Sequence, residues 1–178
     1  MKNALVLYWS KTGNTKKVAL AINDGLESAR LNVSVIKIAE AENVYYFDYD
    51  LVCVGFPSYQ WHLPKPVANF LHNKFDAYKK QEKIKKASPT VAGKYALIFC
   101  TYSGPHTGLR EATPAALYGG QFFEHLGFKV LGEWCVLSEF PSSEEFSTQG
   151  RMGDIRGKPT QDELEKITSD TKELVCGL

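Results

Sequence analysis

The residues best suited to chemistry lie near the N-terminus: Ser10, Lys11, Thr12, Gly13, Asn14 and Thr15. They follow an apolar run, Ala4 to Trp9, and precede a stretch with helical spacing that begins near Lys16. A strand, a hydroxyl-rich turn and a helix in succession form a structure that grips phosphate. Amide N–H groups at a helix N-terminus point at the anion, and the helix dipole favours negative charge there. Ser10, Thr12, Asn14 and Thr15 add neutral hydrogen-bond donors. The segment therefore suits a terminal phosphate held mostly without formal positive charge. It fits neither common nucleotide signature. GxxxxGK[ST] is excluded because Gly13 stands alone and Lys16 is followed by Lys17, and no GxGxxG is present. A chance hydroxyl-rich turn before a helix is the plainer alternative.

Two further segments follow predicted strands: Gly55 to His62, containing Pro57, Ser58, Tyr59, Gln60 and Trp61, and Thr101 to Gly108, containing Tyr102, Ser103, Gly104 and His106. A planar heterocycle wants aromatic faces beside it and backbone amides along its edge. One aromatic in a loop is as often a core plug. Two aromatic loops beside a phosphate turn point to a flat, phosphorylated ligand. His62 and His106 flank this region as rim residues, and His106 is the candidate proton donor because imidazole titrates near neutrality.

The elements that must position these residues alternate along the chain. Apolar runs predict strands at 3–9, 32–38, 51–56, 94–101 and 128–137. Helical spacing appears in Val18, Ala19, Ile22 and Leu26; in Val67, Phe70 and Leu71 after Pro64 and Pro66; in a stretch from about Glu111 to Leu126; and in Leu164, Ile167, Thr171 and Leu174. Thr160 and Glu163 form a capping-box pair ahead of the last. Segment 39–50 has room for a turn or a reduced helix. The pattern predicts one α/β domain over 1–178, a three-layer sandwich with right-handed crossovers. Its ligand should sit outside the carboxyl ends of the strands. The stretch from Ser138 to Pro159 is a long loop, expected either to fold as a flap near the ligand or a dimer contact, or to run over the surface without touching the ligand. The lysine-rich stretch Lys79 to Lys94 is a solvated helix end plus loop, with docking of an acidic partner or a phosphorylated nucleotide as the sharper reading.

A net charge of +1 gives no support for nucleic-acid binding. No apolar run approaches the roughly 20 residues of a membrane span, so a cytoplasmic protein without a membrane partner is expected. Cys53, Cys100, Cys135 and Cys176 lack metal-ligand spacing. No metal is expected, and the cysteines read as packing residues.

With these residues in view, the chain resembles the flavodoxin-like flavoproteins. Ser10 to Thr15 matches the family's phosphate loop throughout. The resemblance covers about residues 2–137 and 160–176. It implies a five-stranded parallel sheet of order 2-1-3-4-5 and one non-covalently bound FMN. Carried over, Ser10 to Thr15 would hold the phosphate and Pro57 to Trp61 would line one ring face. Tyr102 would flank the other, with Thr101, Ser103 and Gly104 at the pyrimidine edge. Two departures bear on function. Carriers of this family are strongly acidic; here the only carboxylates between Gly55 and Arg110 are Asp76 and Glu82. In the family a peptide in the 58–61 loop turns over to accept a hydrogen bond from N5–H of the semiquinone, and this loop lacks the Gly that eases positive φ. Weak semiquinone stabilisation and two-electron use are therefore expected. The resulting expectation is an FMN-dependent oxidoreductase, passing electrons from NAD(P)H or a reduced protein to a quinone or similar small acceptor, as monomer or homodimer. The alternative is a non-enzymatic carrier between redox proteins.

Overall fold

The computed structural model describes residues 2–178. Five strands form one parallel sheet: β1 (Asn3–Tyr8), β2 (Asn32–Lys37), β3 (Leu51–Pro57), β4 (Tyr95–Tyr102) and β5 (Lys129–Leu137). Their order is β2-β1-β3-β4-β5, the order the resemblance implies. β1, β3 and β4 are buried along nearly their whole length, whereas β2 and β5 are half-buried edges. The continuous apolar runs of the inner strands are what burial on both faces requires.

The helices are α1 (Asn14–Ser28), α2 (Lys65–Lys80), α3 (Thr113–His125), α4 (Glu144–Thr148) and α5 (Gln161–Val175). Two cores flank the sheet. On one face, Val18, Ile22 and Leu26 of α1 and Ile167 of α5 pack on Ala4, Val6, Cys53 and Phe99. On the other, Val67 and Leu71 of α2 and Phe122 and Phe123 of α3 pack on Leu5, Val54, Ile98 and Cys100. The three-layer sandwich is as expected.

The second crossover has no α-helix, only 3-10 turns at Ile38–Glu40 and Tyr46–Asp48. Aromatic packing fills the space. Tyr46 is fully buried, stacked on Phe123 at 5.5 Å, and its amide donates to the Tyr78 hydroxyl at 2.8 Å. Lys74 of α2 anchors the same segment, donating to the carbonyls of Glu42 (2.7 Å) and Val44 (2.6 Å). Desolvation, partly offset by the Glu42 charge, lowers the Lys74 pKa.

Three expectations change. α3 begins at Thr113 rather than Glu111, because Pro114 suits the first helical turn and Gly108–Glu111 forms a separate 3-10 turn. The 138–159 segment is not structureless: it contains α4, whose N-cap Ser143 accepts from the Phe146 amide at 3.3 Å. Of the cysteines placed in strands, Cys53 and Cys100 are buried and Cys135 is half-buried. The Thr160–Glu163 capping box is present as expected. No helix among the described residues is long and apolar enough to cross a membrane.

Candidate functional site

Because every strand is parallel, their carboxyl ends lie at one pole. The segments 9–15, 57–62, 101–111 and 138–159 all emerge there. Gly13 is the N-cap of α1 at φ 103°, a left-handed conformation that costs glycine little. It carries no capping side chain, and a Cβ placed on it would meet nothing within 4 Å. Ser10 shapes the turn by accepting the Gly13 amide at 3.1 Å. Among the described residues, the amides of Lys11, Thr12, Asn14, Thr15 and Lys16 have no intramolecular acceptor, whereas that of Lys17 reaches the Gly13 carbonyl at 2.9 Å. A run of free N–H groups around an uncapped helix start is the cradle a phosphate monoester fits.

The side chains divide differently from expectation. Those of Lys11 and Thr12 are exposed. Asn14, 5% exposed, donates from Nδ2 to the carbonyl of Glu139 at 3.0 Å. Thr15, 2% exposed, shares a hydrogen bond of 2.8 Å with the hydroxyl of Thr101, which is itself buried. Both residues therefore tie the 10–15 turn to distant segments, and the free donors that remain are mostly backbone amides.

The 57–62 loop is a tight hairpin turn. Tyr59 and His62 exchange backbone hydrogen bonds at 2.9 and 3.0 Å. Gln60 and Trp61 between them both have positive φ, 50° and 68°. Positive φ at both central positions of a two-residue hairpin defines a type I′ turn, normally made with Asn or Gly. The absence of glycine thus does not keep this loop out of the left-handed region. Tertiary contacts hold it there. Ser58 donates its amide to the Thr101 carbonyl at 2.8 Å and its hydroxyl to the carbonyl of Glu111, and the ring of Tyr59 stands edge-on to Trp9 at 5.8 Å. Partial burial raises the Tyr59 pKa. Trp61 is 58% exposed.

The 101–108 loop folds on itself. Gly104 lies so close to Gly108 that a Cβ would come within 2.8 Å of its Cα. A Glu111 carboxylate oxygen accepts from the amides of His106 (3.0 Å) and Thr107 (2.6 Å). Tyr102 is not brought to the open face. It is 8% exposed and packs in the core on the α3 side, where burial raises its pKa, as do the neighbouring Cys135 and Cys100 thiols. Ser103 is half-buried, and the exposed His106 ring meets Phe146 edge-on at 6.3 Å.

The 138–159 segment lies against this loop. The Arg151 amide donates to the Pro105 carbonyl at 3.3 Å, and Gly150 and Met152 pack against Pro105 and Gly108. With Asn14 bound to Glu139, the segment touches both the 10–15 turn and the 101–108 loop. Sequence reasoning missed the roles of Glu111, Glu139 and Trp9. For Glu111 a signal existed, a carboxylate four residues after the Thr107 amide it binds; for the Glu139 carbonyl none did.

Residues 5–92 match the family model of the flavodoxin domain. No curated protein matches the chain. Among solved structures it is similar to an archaeal flavodoxin (20% identity, 96% of each chain, TM-score 0.61). Flavodoxin 1 of Bacillus cereus is similar at 18% identity over 99% of each chain, with a TM-score of 0.67. The flavodiiron protein of Giardia intestinalis matches 98% of this chain and 35% of its own, at 15% identity and a TM-score of 0.64. At these identities the structural likeness speaks for the fold.

Proposed function

From its membership of the flavodoxin-like family of FMN-binding proteins, we propose that this chain carries electrons between redox proteins through one bound FMN. The free amides of Lys11, Thr12, Asn14, Thr15 and Lys16 would hold the phosphate, with Ser10 and Thr12 adding hydroxyls and Lys11 a nearby charge. Tyr59 and Trp61 would flank one ring face, and the backbone of Thr101 to Gly104 would meet the pyrimidine edge. FMN, when bound, supplies reversible one- or two-electron chemistry; the chain orients it and governs access.

The observation that carries this reading is the exposure of the turn beside the proposed ring position. Tyr59 is 42% exposed and Trp61 58%. An edge open to solvent suits brief contact with another protein better than enclosure of a small substrate, which prefers a concave, largely buried site. The type I′ turn also supports two-electron use. Turning over the Gln60–Trp61 peptide leads to a type II′ turn, which calls for Gly at the first central position, here Gln60.

A second reading keeps the expected enzyme: NAD(P)H reducing a quinone or similar acceptor, with His106 donating a proton. It is favoured by the exposed His106 ring, held by Phe146 at the rim. Steady-state assay of the FMN-loaded protein separates the two. A carrier oxidises NAD(P)H only after a reductase is added. Turnover by the protein alone, abolished in His106→Ala, refutes the carrier and supports the enzyme.

A further inference from the structure

Two of the four cysteines stand opposite each other. Cys100 of β4 and Cys135 of β5 are register partners on adjacent parallel strands, two residues before both strands end. Both side chains join the core on the α2–α3 face, Cys100 fully buried and Cys135 half-buried. Burial, and after it the neighbouring Cys135 thiol, raises the Cys100 pKa. Cys53 lies in the opposite core and Cys176 is exposed beyond α5, so the pair is set apart from both. Neighbouring strands lie about 4.7–4.9 Å apart, inside the roughly 4.4–6.8 Å between Cα atoms that a disulfide spans. Side chains rising together from such a pair start about that far apart, wider than the roughly 3.8 Å between the Cβ atoms of a relaxed disulfide. Joining the sulfurs therefore draws β4 and β5 together at this level, and the strain makes the bond easy to reduce.

Access and position give the pair its consequence. Cys135 lines a groove of about 630 Å³ at the sheet edge, with Leu109, Leu117, Trp134 and Val136. A small oxidant reaches it from there, while Cys100 is shielded. Burial, and then the Glu133 charge, raises the Cys135 pKa. Thiolate is therefore scarce at neutral pH, and the pair stays reduced until oxidant is plentiful. Next to Cys100 is Thr101, whose hydroxyl meets that of Thr15 at 2.8 Å and whose carbonyl accepts the Ser58 amide at 2.8 Å. The Cys100 thiol donates weakly to that same carbonyl at 3.8 Å. Oxidation removes this donor and pulls on the residue that ties the 10–15 turn and the 57–62 loop to β4.

We propose that Cys100 and Cys135 are a reversible thiol–disulfide couple, oxidised by a peroxide, that loosens the candidate site when oxidised. The effect on the site rests on the FMN reading; the bond itself does not. The Cys135 thiolate attacks one peroxide oxygen, the O–O bond breaks, and a sulfenic acid forms as the other oxygen leaves as hydroxide and takes up a proton. The Cys100 sulfur, giving up its proton, then displaces hydroxide from the sulfenic sulfur, so that S–S forms, S–O breaks and water leaves. The two thiols lose two electrons, and the peroxide gains them as two waters.

The test uses the full chain carrying Cys176→Ser, with hydrogen peroxide as the oxidant and alkylation in denaturant to trap free thiols. The intact mass should fall by two hydrogens, and a disulfide should join the tryptic peptides 95–110 and 130–151. Cys100→Ala and Cys135→Ser should each abolish the cross-link, and reduced glutathione should restore both thiols. FMN should bind the oxidised chain about fivefold more weakly than the reduced one, the loss of about one hydrogen bond, and regain its affinity after glutathione. No cross-link in the native chain, or Cys135 carried to sulfinic acid with Cys100 still free, overturns the couple. A cross-linked chain that binds FMN as tightly as the reduced one overturns the effect on the site. A reduced chain that takes up no FMN overturns the electron-transfer reading, while the mass measurement still decides the couple.

Discussion

The hydrogen bond between Thr15 and Thr101 separates two roles for a residue in the phosphate turn. If Thr15 served the phosphate, Thr15→Val would weaken FMN binding and leave the apoprotein's stability nearly unchanged. The structure assigns the hydroxyl elsewhere: it meets Thr101 at 2.8 Å, with both residues at most 3% exposed. Valine matches threonine in shape, so Thr15→Val or Thr101→Val leaves one hydroxyl buried without a partner. That costs about 1–3 kcal/mol in either single variant. The double variant removes both polar groups and replaces them with apolar surface, so its loss should stay below about 1 kcal/mol. The single losses sum to about 2–6 kcal/mol against less than about 1 in the double, so the coupling energy is at least about 1 kcal/mol, well above the few tenths expected of independent sites. Urea unfolding of the apoprotein reads it directly. With a slope of about 1–3 kcal/mol per molar urea, a loss of about 2 kcal/mol lowers the midpoint of each single variant by roughly 0.7–2 M, and the double recovers most of that. Losses that add, or a Thr15→Val apoprotein of full stability with FMN binding weakened more than tenfold, would refute the reasoning.

Three further outcomes follow from the geometry. Gln60→Gly relieves a left-handed residue and should raise apoprotein stability by up to about 1 kcal/mol. It also permits the peptide turnover that Gln60 opposes, so photoreduction of the FMN-loaded variant should show a one-electron intermediate in larger amount than the parent chain. The hydroxyl of Tyr46 is buried and has no partner among the described residues; Tyr46→Phe should therefore stabilise by about 1 kcal/mol in thermal or urea unfolding. Glu163 is pushed up by burial, but hydrogen bonds from Lys158 (2.5 Å) and Thr160 outweigh this and hold its pKa below the ordinary 4.5. The folded state thus releases its proton more readily than the unfolded state. Its contribution is complete above pH 4.5 and is lost as pH falls through the lower folded value. Glu163→Gln should flatten that part of the stability–pH curve.

The layers were legible because their signals are local. Unbroken apolar runs in β3 and β4 state that both faces are covered, and helical spacing in α1 and α5 states which side packs. The capping box at Thr160 closes within four residues. The 38–50 crossover was legible only as too short for a full helix, because what fills its place is Tyr46 stacked on Phe123, far along the chain. Positive φ at Gln60 and Trp61 was not legible, since neither side chain prefers it. The hydrogen bonds of Ser58 and the edge contact of Tyr59 with Trp9 impose it.

Ser10 to Thr15 shows where the division falls. That this turn offers amides to an anion follows from the sequence alone, because a strand, a hydroxyl-rich turn and a helix start are contained in adjacent residues; that the helix starts at Asn14 with Gly13 as an uncapped N-cap came from the structure. What each side chain does was decided by tertiary structure. Thr15 faces Thr101, 86 residues away, and Asn14 holds the carbonyl of Glu139, 125 residues away. The alternation along β4 requires Thr101 and Tyr102 to point to opposite faces, but not which of them lies under α1. That choice, fixed when the strands pair and the helices cover them, sent Thr101 to the phosphate turn and Tyr102 into the core.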